Sequence, residues 1–199
     1  MAKQKGLASK NSRPGRLRIV AGKWRSRLLP IADQKGLRPT ASRVRETLFN
    51  WLSEDIRGSH CLDLFAGTGA LAFEALSRGA ASATMIESSP KIADLLRSSA
   101  DLLDAADARI DCASALSFLS HTANKRYDIV FLDPPFSDDL VEECCQLLHS
   151  NDWLADCAAV YIEQDKSRPL PSLPTGWTIT KNKTAGHVRF VLVRLDAQG

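Results

Sequence analysis

Asp133-Pro134-Pro135-Phe136 places a carboxylate, two prolines and an aromatic ring in consecutive positions. The prolines lack an N–H and stiffen the turn, which leaves carbonyls around them open as acceptors. An exocyclic amine on a nucleic-acid base needs such acceptors for its protons and a flat surface to stack on. The apolar run Ile129-Val130-Phe131-Leu132 in front of it reads as a buried strand. Asp133 would then end that strand, at the sheet edge where open α/β folds bind their ligands. Taken alone, the same residues also make an ordinary turn, because Asp and Pro are both turn formers.

A second constellation lies upstream. The stretch DLFAGTGAL at 63–71 sets Asp63 before two glycines, Gly67 and Gly69, at a predicted strand-to-helix turn. Glycines there let the backbone bend tightly and approach a ligand closely. Glu87 ends the next predicted strand, 20 residues after Gly67, where a carboxylate can accept hydrogen bonds from both hydroxyls of a ribose. Gly67-Thr68-Gly69-Ala70-Leu71-Ala72 also satisfies the GxGxxA form of the dinucleotide fingerprint, so a nicotinamide-dependent oxidoreductase is a rival reading. Against it, Asp63 would repel a pyrophosphate, whereas a sulfonium or amino group would be attracted. Hydride transfer also has no use for an acid-Pro-Pro-aromatic turn.

The elements that must position these residues alternate. Strands are predicted at Cys61–Leu64, Ala83–Ile86, Arg109–Cys112, Ile129–Leu132 and Ala158–Ile162, with helices at Leu71–Ser77, from Ser89-Pro90, around Ala115–Leu119 and at Asp139–Leu148. Trp177–Lys181 and His187–Arg194 look like a closing antiparallel pair. Strands alternating with helices give a parallel α/β sheet. Before it, Arg16–Val20 and Lys23–Leu29 flank Ala21-Gly22 and predict a basic hairpin, with Leu17 and Ile19 on one face and Arg16 and Arg18 on the other. Leu37-Arg38-Pro39-Thr40 leads into a helix whose apolar stripe is Val44, Leu48, Phe49 and Leu52, with Arg43 and Arg45 off that stripe.

Charge is unevenly spread. Residues 1–45 hold 13 Lys/Arg against Asp33 alone, or +12, while the remainder holds 13 against 22 acids, or −9, which recovers the net +3. A basic arm on an acidic body points to a polyanionic partner, with nucleic acid favoured because Trp24 and a strand pattern are interleaved with the charges. The 199 residues, 44% hydrophobic, suffice for a domain with a sizeable core plus an extension. No apolar run nears the roughly 20 residues of a membrane span, and no apolar signal core stands at the N-terminus. The five cysteines include no CxxC pair, so neither a disulfide framework nor a zinc site is expected, and a reducing cytoplasm fits them. Cys61 and Cys112 read as small core residues. His60, His121, His149 and His187 have no metal-ligand spacing, so no metal is expected.

With these pieces in order, the chain resembles the class I S-adenosylmethionine-dependent methyltransferases, and within them the bacterial 16S rRNA guanine-N2 methyltransferase family. The resemblance runs from about Arg16 to Arg194 and rests on RIVAGKWRSR at 18–27, LRPT at 37–40, RVRETLFNWL at 43–52, DLFAGTGAL at 63–71 and DPPF at 133–136. The Arg-rich segment before the glycines separates this family from DNA adenine- or cytosine-amine methyltransferases, which share similar turns. The resemblance implies a Rossmann-like, mostly parallel seven-stranded sheet with an antiparallel C-terminal strand and a small N-terminal hairpin. It divides the chain into a basic arm at 1–15, an RNA-binding hairpin extension at 16–39 and a methyltransferase domain at 40–199.

The resemblance also implies roles. Asp63, Phe65, Ala66, Gly67, Thr68, Gly69 and Ala70 surround the methionine part of S-adenosylmethionine. Glu87 holds its ribose, and Ser114 and Ala115 border its adenine. Asp133 and the Pro134 carbonyl accept the guanine amine's protons beside Pro135, and Phe136 stacks on the base. Arg16, Arg18, Lys23, Arg25, Arg27, Arg43 and Arg45 contact RNA, while Arg38 and Thr40 close over the site. The implied partner is 16S rRNA; the basic arm suits a small ribosomal subunit or an assembly intermediate, and with no coiled-coil stripe in the sequence a monomer is expected. Two departures stand out: Ser114 replaces the usual Asn or Asp, and Phe190 the usual Tyr. A non-catalytic RNA-binding protein keeping a cofactor fold is a further alternative.

Overall fold

The computed structural model describes residues 15–31, 42–135 and 140–195. The arm at 1–14, Arg38, Pro39, Thr40, Phe136, Asp138 and Asp139 lie outside the described residues.

A short hairpin opens the fold, β1 (Arg16–Arg18) paired antiparallel with β2 (Leu28–Pro30). Leu17 and Ile19 are buried while Arg16 and Arg18 are exposed, as the alternation predicts. The predicted pairing of 16–20 with 23–29 about Ala21-Gly22 is corrected. Residues 20–24 bind α2 (Ala70–Ser77) instead: Lys23 N donates to the Ser77 carbonyl at 2.7 Å and Trp24 N to Ser77 Oγ at 3.0 Å. The turn tightens further on, where Arg27 N donates to the Trp24 carbonyl and Ser26 takes φ 69°. Gly22 has φ 82°, and a Cβ there would stand 1.8 Å from the Ser77 carbonyl oxygen, so only glycine permits this approach.

The remaining elements are α1 (Ser42–Trp51), β3 (His60–Asp63), α2, β4 (Ser82–Glu87), α3 (Pro90–Leu103), β5 (Ala108–Cys112), α4 (Ala115–Leu119), β6 (Tyr127–Leu132), α5 (Val141–Ser150), β7 (Leu154–Asp165), β8 (Trp177–Ala185) and β9 (Val188–Leu195). Pro90 opens α3, where its missing N–H costs nothing. The sheet order is β5-β4-β3-β6-β7-β9-β8. The first five strands run parallel, and β9 pairs antiparallel with both β7 and β8. This is the seven-stranded, mostly parallel sheet with an N-terminal hairpin that the sequence predicts.

Period-two alternation divides the core between the two faces. Along β6, Ile129 and Phe131 pack on one side with the hairpin, α1, α2 and α3; Val130 and Leu132 pack on the other with α4 and α5. Trp153 and Trp177 are buried, as expected of core or rim residues. Cys61 is buried, but Cys112 is exposed, because β5 is the edge strand of the sheet among the described residues. No helix among the described residues is long and apolar enough to cross a membrane.

Candidate active site

Strand order reverses at β3: the chain proceeds to β4 and β5 on one side, then returns to lay β6 on the other. Such a switch point opens a crevice beyond the strands' carboxyl ends. Asp63 ends β3, Glu87 ends β4 and Asp133 follows β6. Leu64 N donates to the Phe131 carbonyl at 3.1 Å, which holds the ends of β3 and β6 together. Three acids from three strands thus converge on one edge.

Asp63 is 2% exposed. Burial is the main cause that pushes its carboxyl up to about 7, and the charges of Asp133 and Glu87 add to the push, against backbone hydrogen bonds from Phe65 and Ala72. No Lys or Arg among the described residues forms an ion pair with it. A buried carboxylate beside two more acids suits a cationic group, and the donor set fits the ammonium and sulfonium of S-adenosylmethionine.

Backbone geometry shapes the loop between these acids. Gly67 and Gly69 take φ 50° and 73°, left-handed values open to glycine. A Cβ on Gly69 would stand 2.5 Å from the Phe73 ring. Ala66 N donates to the Ile86 carbonyl, and Gly69 N to the Ala66 carbonyl. Glu87 accepts from Gly67 N at 3.1 Å and from Ser89 N at 2.8 Å, which fixes its carboxylate beside the loop. Each oxygen keeps a further lone pair for a ribose hydroxyl. Phe65 is half-buried, and Thr68 and Ala70 are buried around the turn.

Ala113 N donates to the Glu87 carbonyl, which brings the start of α4 alongside. Ser114 is exposed and caps α4, its Oγ accepting from Ser117 N at 3.2 Å, and Ala115 is buried behind it. The capping bond occupies the Ser114 hydroxyl locally.

On the other side of Asp133, Pro134 is buried and Pro135 exposed. Aromatic rings fill the layer beneath: Phe131 lies 6.1 Å from Phe49 and 6.5 Å from Tyr161, and Trp51 stacks on Phe190 at 5.3 Å. Phe190 is buried in this cluster and acts through packing. Tyr161 Oη donates to Glu163 Oε1 at 2.6 Å. Glu163 is 3% exposed and stands on β7 level with Asp133. Sequence reasoning passed over Tyr161 and Glu163; the acid ending the apolar run of β7 was the available signal.

The candidate RNA contacts divide. Arg16, Arg18, Lys23, Arg25, Arg27 and Arg43 are exposed, with Lys23 Nζ 4.2 Å from the Trp24 ring centroid. Arg45 is corrected: it is 2% exposed, donating to the Arg18 carbonyl at 3.0 Å and pairing with Glu74. It stands three and four residues before Leu48 and Phe49, on the stripe rather than off it. Its buried partner Glu74 escaped the sequence reading, although it is the lone charge in the apolar helix ALAFEALS.

Five parallel strands, a reversal between β3 and β6, and a glycine loop ringed by Asp63, Glu87 and Asp133 define the class I methyltransferase type. The family model described as "Conserved hypothetical protein 95" matches residues 17–194. Ribosomal RNA small subunit methyltransferase D of Escherichia coli strain K12 is 47% identical over 189 residues, covering 95% of each chain. The Haemophilus influenzae protein of the same name is 45% identical over 181 residues, covering 89% of this chain and 93% of that one. A solved Escherichia coli structure, of the protein yhhF, superposes with a TM-score of 0.86 at 44% identity over 92% of this chain and 100% of the other. The chain belongs to the family of the ribosomal RNA small subunit methyltransferases D.

Proposed function

We propose that this protein transfers the methyl group of S-adenosylmethionine to the exocyclic N2 amine of a guanine in 16S rRNA of the small ribosomal subunit. The observation that carries the reading is the juxtaposition of buried Asp63 with Asp133-Pro134 across the β3–β6 switch point. Bound there, S-adenosylmethionine supplies an electrophilic methyl carbon on sulfur. Asp63 and Glu87 hold the cationic and ribose ends of that molecule. The 113–115 segment borders its adenine.

The guanine amine is a poor nucleophile because its lone pair is delocalised into the ring. Asp133 and the Pro134 carbonyl accept hydrogen bonds from its two N–H groups and turn the lone pair toward the methyl carbon. The amine nitrogen forms the new N–C bond as the C–S bond breaks, the electron pair staying on sulfur. The amine proton grows acidic only as that bond forms, so Asp133 can take it or pass it to water without being a strong base. Positioning supplies much of the rate. The target base leaves its stack to reach the crevice.

The exposed arginines of the hairpin, with Lys23 and Arg43, hold the RNA. The protein acts as a cytoplasmic monomer on a small subunit or assembly intermediate. Labelled methyl transfer to unmodified small subunits and to naked 16S rRNA, followed by mass mapping, tests this reading. One N2-methylguanine is expected. Methyl transfer to DNA amines alone, or reduction of a nicotinamide cofactor, would replace it.

A further inference from the structure

We propose that the far flank of the sheet, formed by the end of β7 and the β8–β9 hairpin, is a second RNA-contacting surface that holds phosphates on the side of Asp133 away from the cofactor. It rests on the rRNA methyltransferase reading above.

Charge segregates sharply within the body of the chain. Residues 46–165 hold 21 acids and 7 Lys/Arg, whereas residues 166–195 hold six Lys/Arg and no acid. Five of the six lie toward the tip of β7 and the β8–β9 hairpin, while Arg194 pairs with Asp55 at the opposite end of β9. Leu132 pairs with Ile162, Glu163 with Phe190 and Asp165 with Val188, so the tip of β7 and the start of β9 rise to the level of Asp133 and just beyond. β7, β9 and β8 lie one, two and three strands from β6, roughly 5, 10 and 15 Å away, with Lys181 and Lys183 on β8. A strand whose base enters the crevice at Asp133 therefore passes this edge with its neighbouring phosphates.

Lys166, Lys181 and Lys183 are exposed. Lys183 and Lys181 stand opposite Phe190 and Leu192, whose side chains pack in the layer under α1. Lys183 Nζ lies 5.9 Å from the Trp51 ring centroid, so these lysines emerge on the same face as α1 and the N-terminal hairpin. Thr180 Oγ1 donates to the Leu192 carbonyl at 3.1 Å, and Asn182 and Thr184, also exposed, alternate onto the opposite face of β8 from Lys181 and Lys183. The tip is well tied: Lys166 N donates to the His187 carbonyl at 2.9 Å, and Arg189 Nη1 to the Arg168 carbonyl at 2.7 Å. Asp165, the acid at this tip, is occupied as a turn brace, its Oδ1 accepting from Ser167 N and Oγ. Lysines on a fixed edge suit phosphate oxygens. They also do what lysines on any edge strand do, which is to discourage pairing with another chain.

The experiment combines Lys166→Gln, Lys181→Gln and Lys183→Gln in the full chain and measures binding to unmodified small subunits across a salt series. Melting temperature and cofactor Kd of the variant establish that the fold is intact. With about 0.7 in slope per contact to a single strand, the log–log salt dependence should become shallower by about 2. KM for the subunit should rise by more than kcat falls. An unchanged salt slope and KM would reduce the lysines to edge protection and overturn the inference. Failure of the RNA reading itself is separate, since the wild-type protein would then transfer no methyl to small subunits at all.

Discussion

The Arg45 guanidinium and the Glu74 carboxylate meet at 3.5 Å beneath the hairpin, with side chains 2% and 0% exposed. Glu74 does more than pair. It accepts from Val20 N at 2.8 Å, from Ala21 N at 2.9 Å and from Arg78 Nε at 2.8 Å. One carboxylate on α2 thus gathers the hairpin, α1 and the helix that begins at the cofactor loop.

Glu74→Ala should cost about 3–5 kcal/mol, because it leaves buried Arg45 and two backbone donors uncompensated. Arg45→Met should cost less. Burial lowers the Arg45 pKa more than Glu74 raises it, so the guanidinium pays for its position. Urea unfolding of the two variants gives the order, and equal losses would contradict it.

The Asp63 carboxyl, raised to about 7 from an ordinary 3.8, makes cofactor binding depend on pH. A cation binds the carboxylate form, so affinity should rise by up to tenfold per pH unit below about 7 and level off above it. For the free protein the sign is opposite. The raised value means that the fold favours the neutral acid. Its contribution to stability is full below about 4 and is lost as pH climbs to about 7. Calorimetric titration of wild type and Asp63→Asn across pH 5–8 checks both, since the variant should lose this dependence.

Asp133→Ala should lose nearly all methyl transfer while keeping cofactor binding. It should also bring the Asp63 pKa down, because Asp133 is the largest charge acting on it. A flatter pH profile of cofactor affinity in Asp133→Ala would register that second effect independently of catalysis. Near-wild-type turnover would sink the role assigned to Asp133.

Cysteine accessibility gives a label at each end of the sheet. Cys61, Cys144 and Cys145 are buried, and burial raises all three thiols, Cys61 and Cys144 to about 12. Cys112 and Cys157 are exposed. Cys112 pairs in register with Glu87 at the cofactor edge, whereas Cys157 lies with Asp55, Gly58 and Arg194 near the start of β3. Iodoacetamide should modify Cys112 and Cys157 first. Added S-adenosylmethionine should slow Cys112 and leave Cys157 unaffected, as peptide mapping would show.

The sheet was legible because its strands are apolar runs bounded by glycine, proline and acid, and buried parallel strands have that form. Asp63, Gly67, Gly69 and Glu87 were legible for the same reason, since each sits where a run ends. Arg45 was misplaced because a charged residue beside an apolar stripe reads as solvent-facing until its buried partner is known. Glu74 lies 29 residues away on a different helix, and no local pattern links the two. The hairpin turn was misjudged because residues 20–24 satisfy their backbone groups on α2, a long-range choice invisible to strand propensity.

The reversal of strand order at β3 also sets a timetable for folding. β3 gains its β4 partner after about twenty residues of chain, but Cys61 meets Ile129, and His60 N meets Asp128, only across 68 residues. During synthesis the cofactor half, through β5, is complete while one edge of the central strand still lacks its neighbour. Closing that edge is a non-local step, the kind that slows folding and exposes unpaired strand to other chains. The arrival of β6 ends that exposure and delivers Asp133 in the same event. A chain arrested before residue 127 would hold the glycine loop with Asp63 and Glu87 and lack Asp133, the acid proposed to orient the target amine.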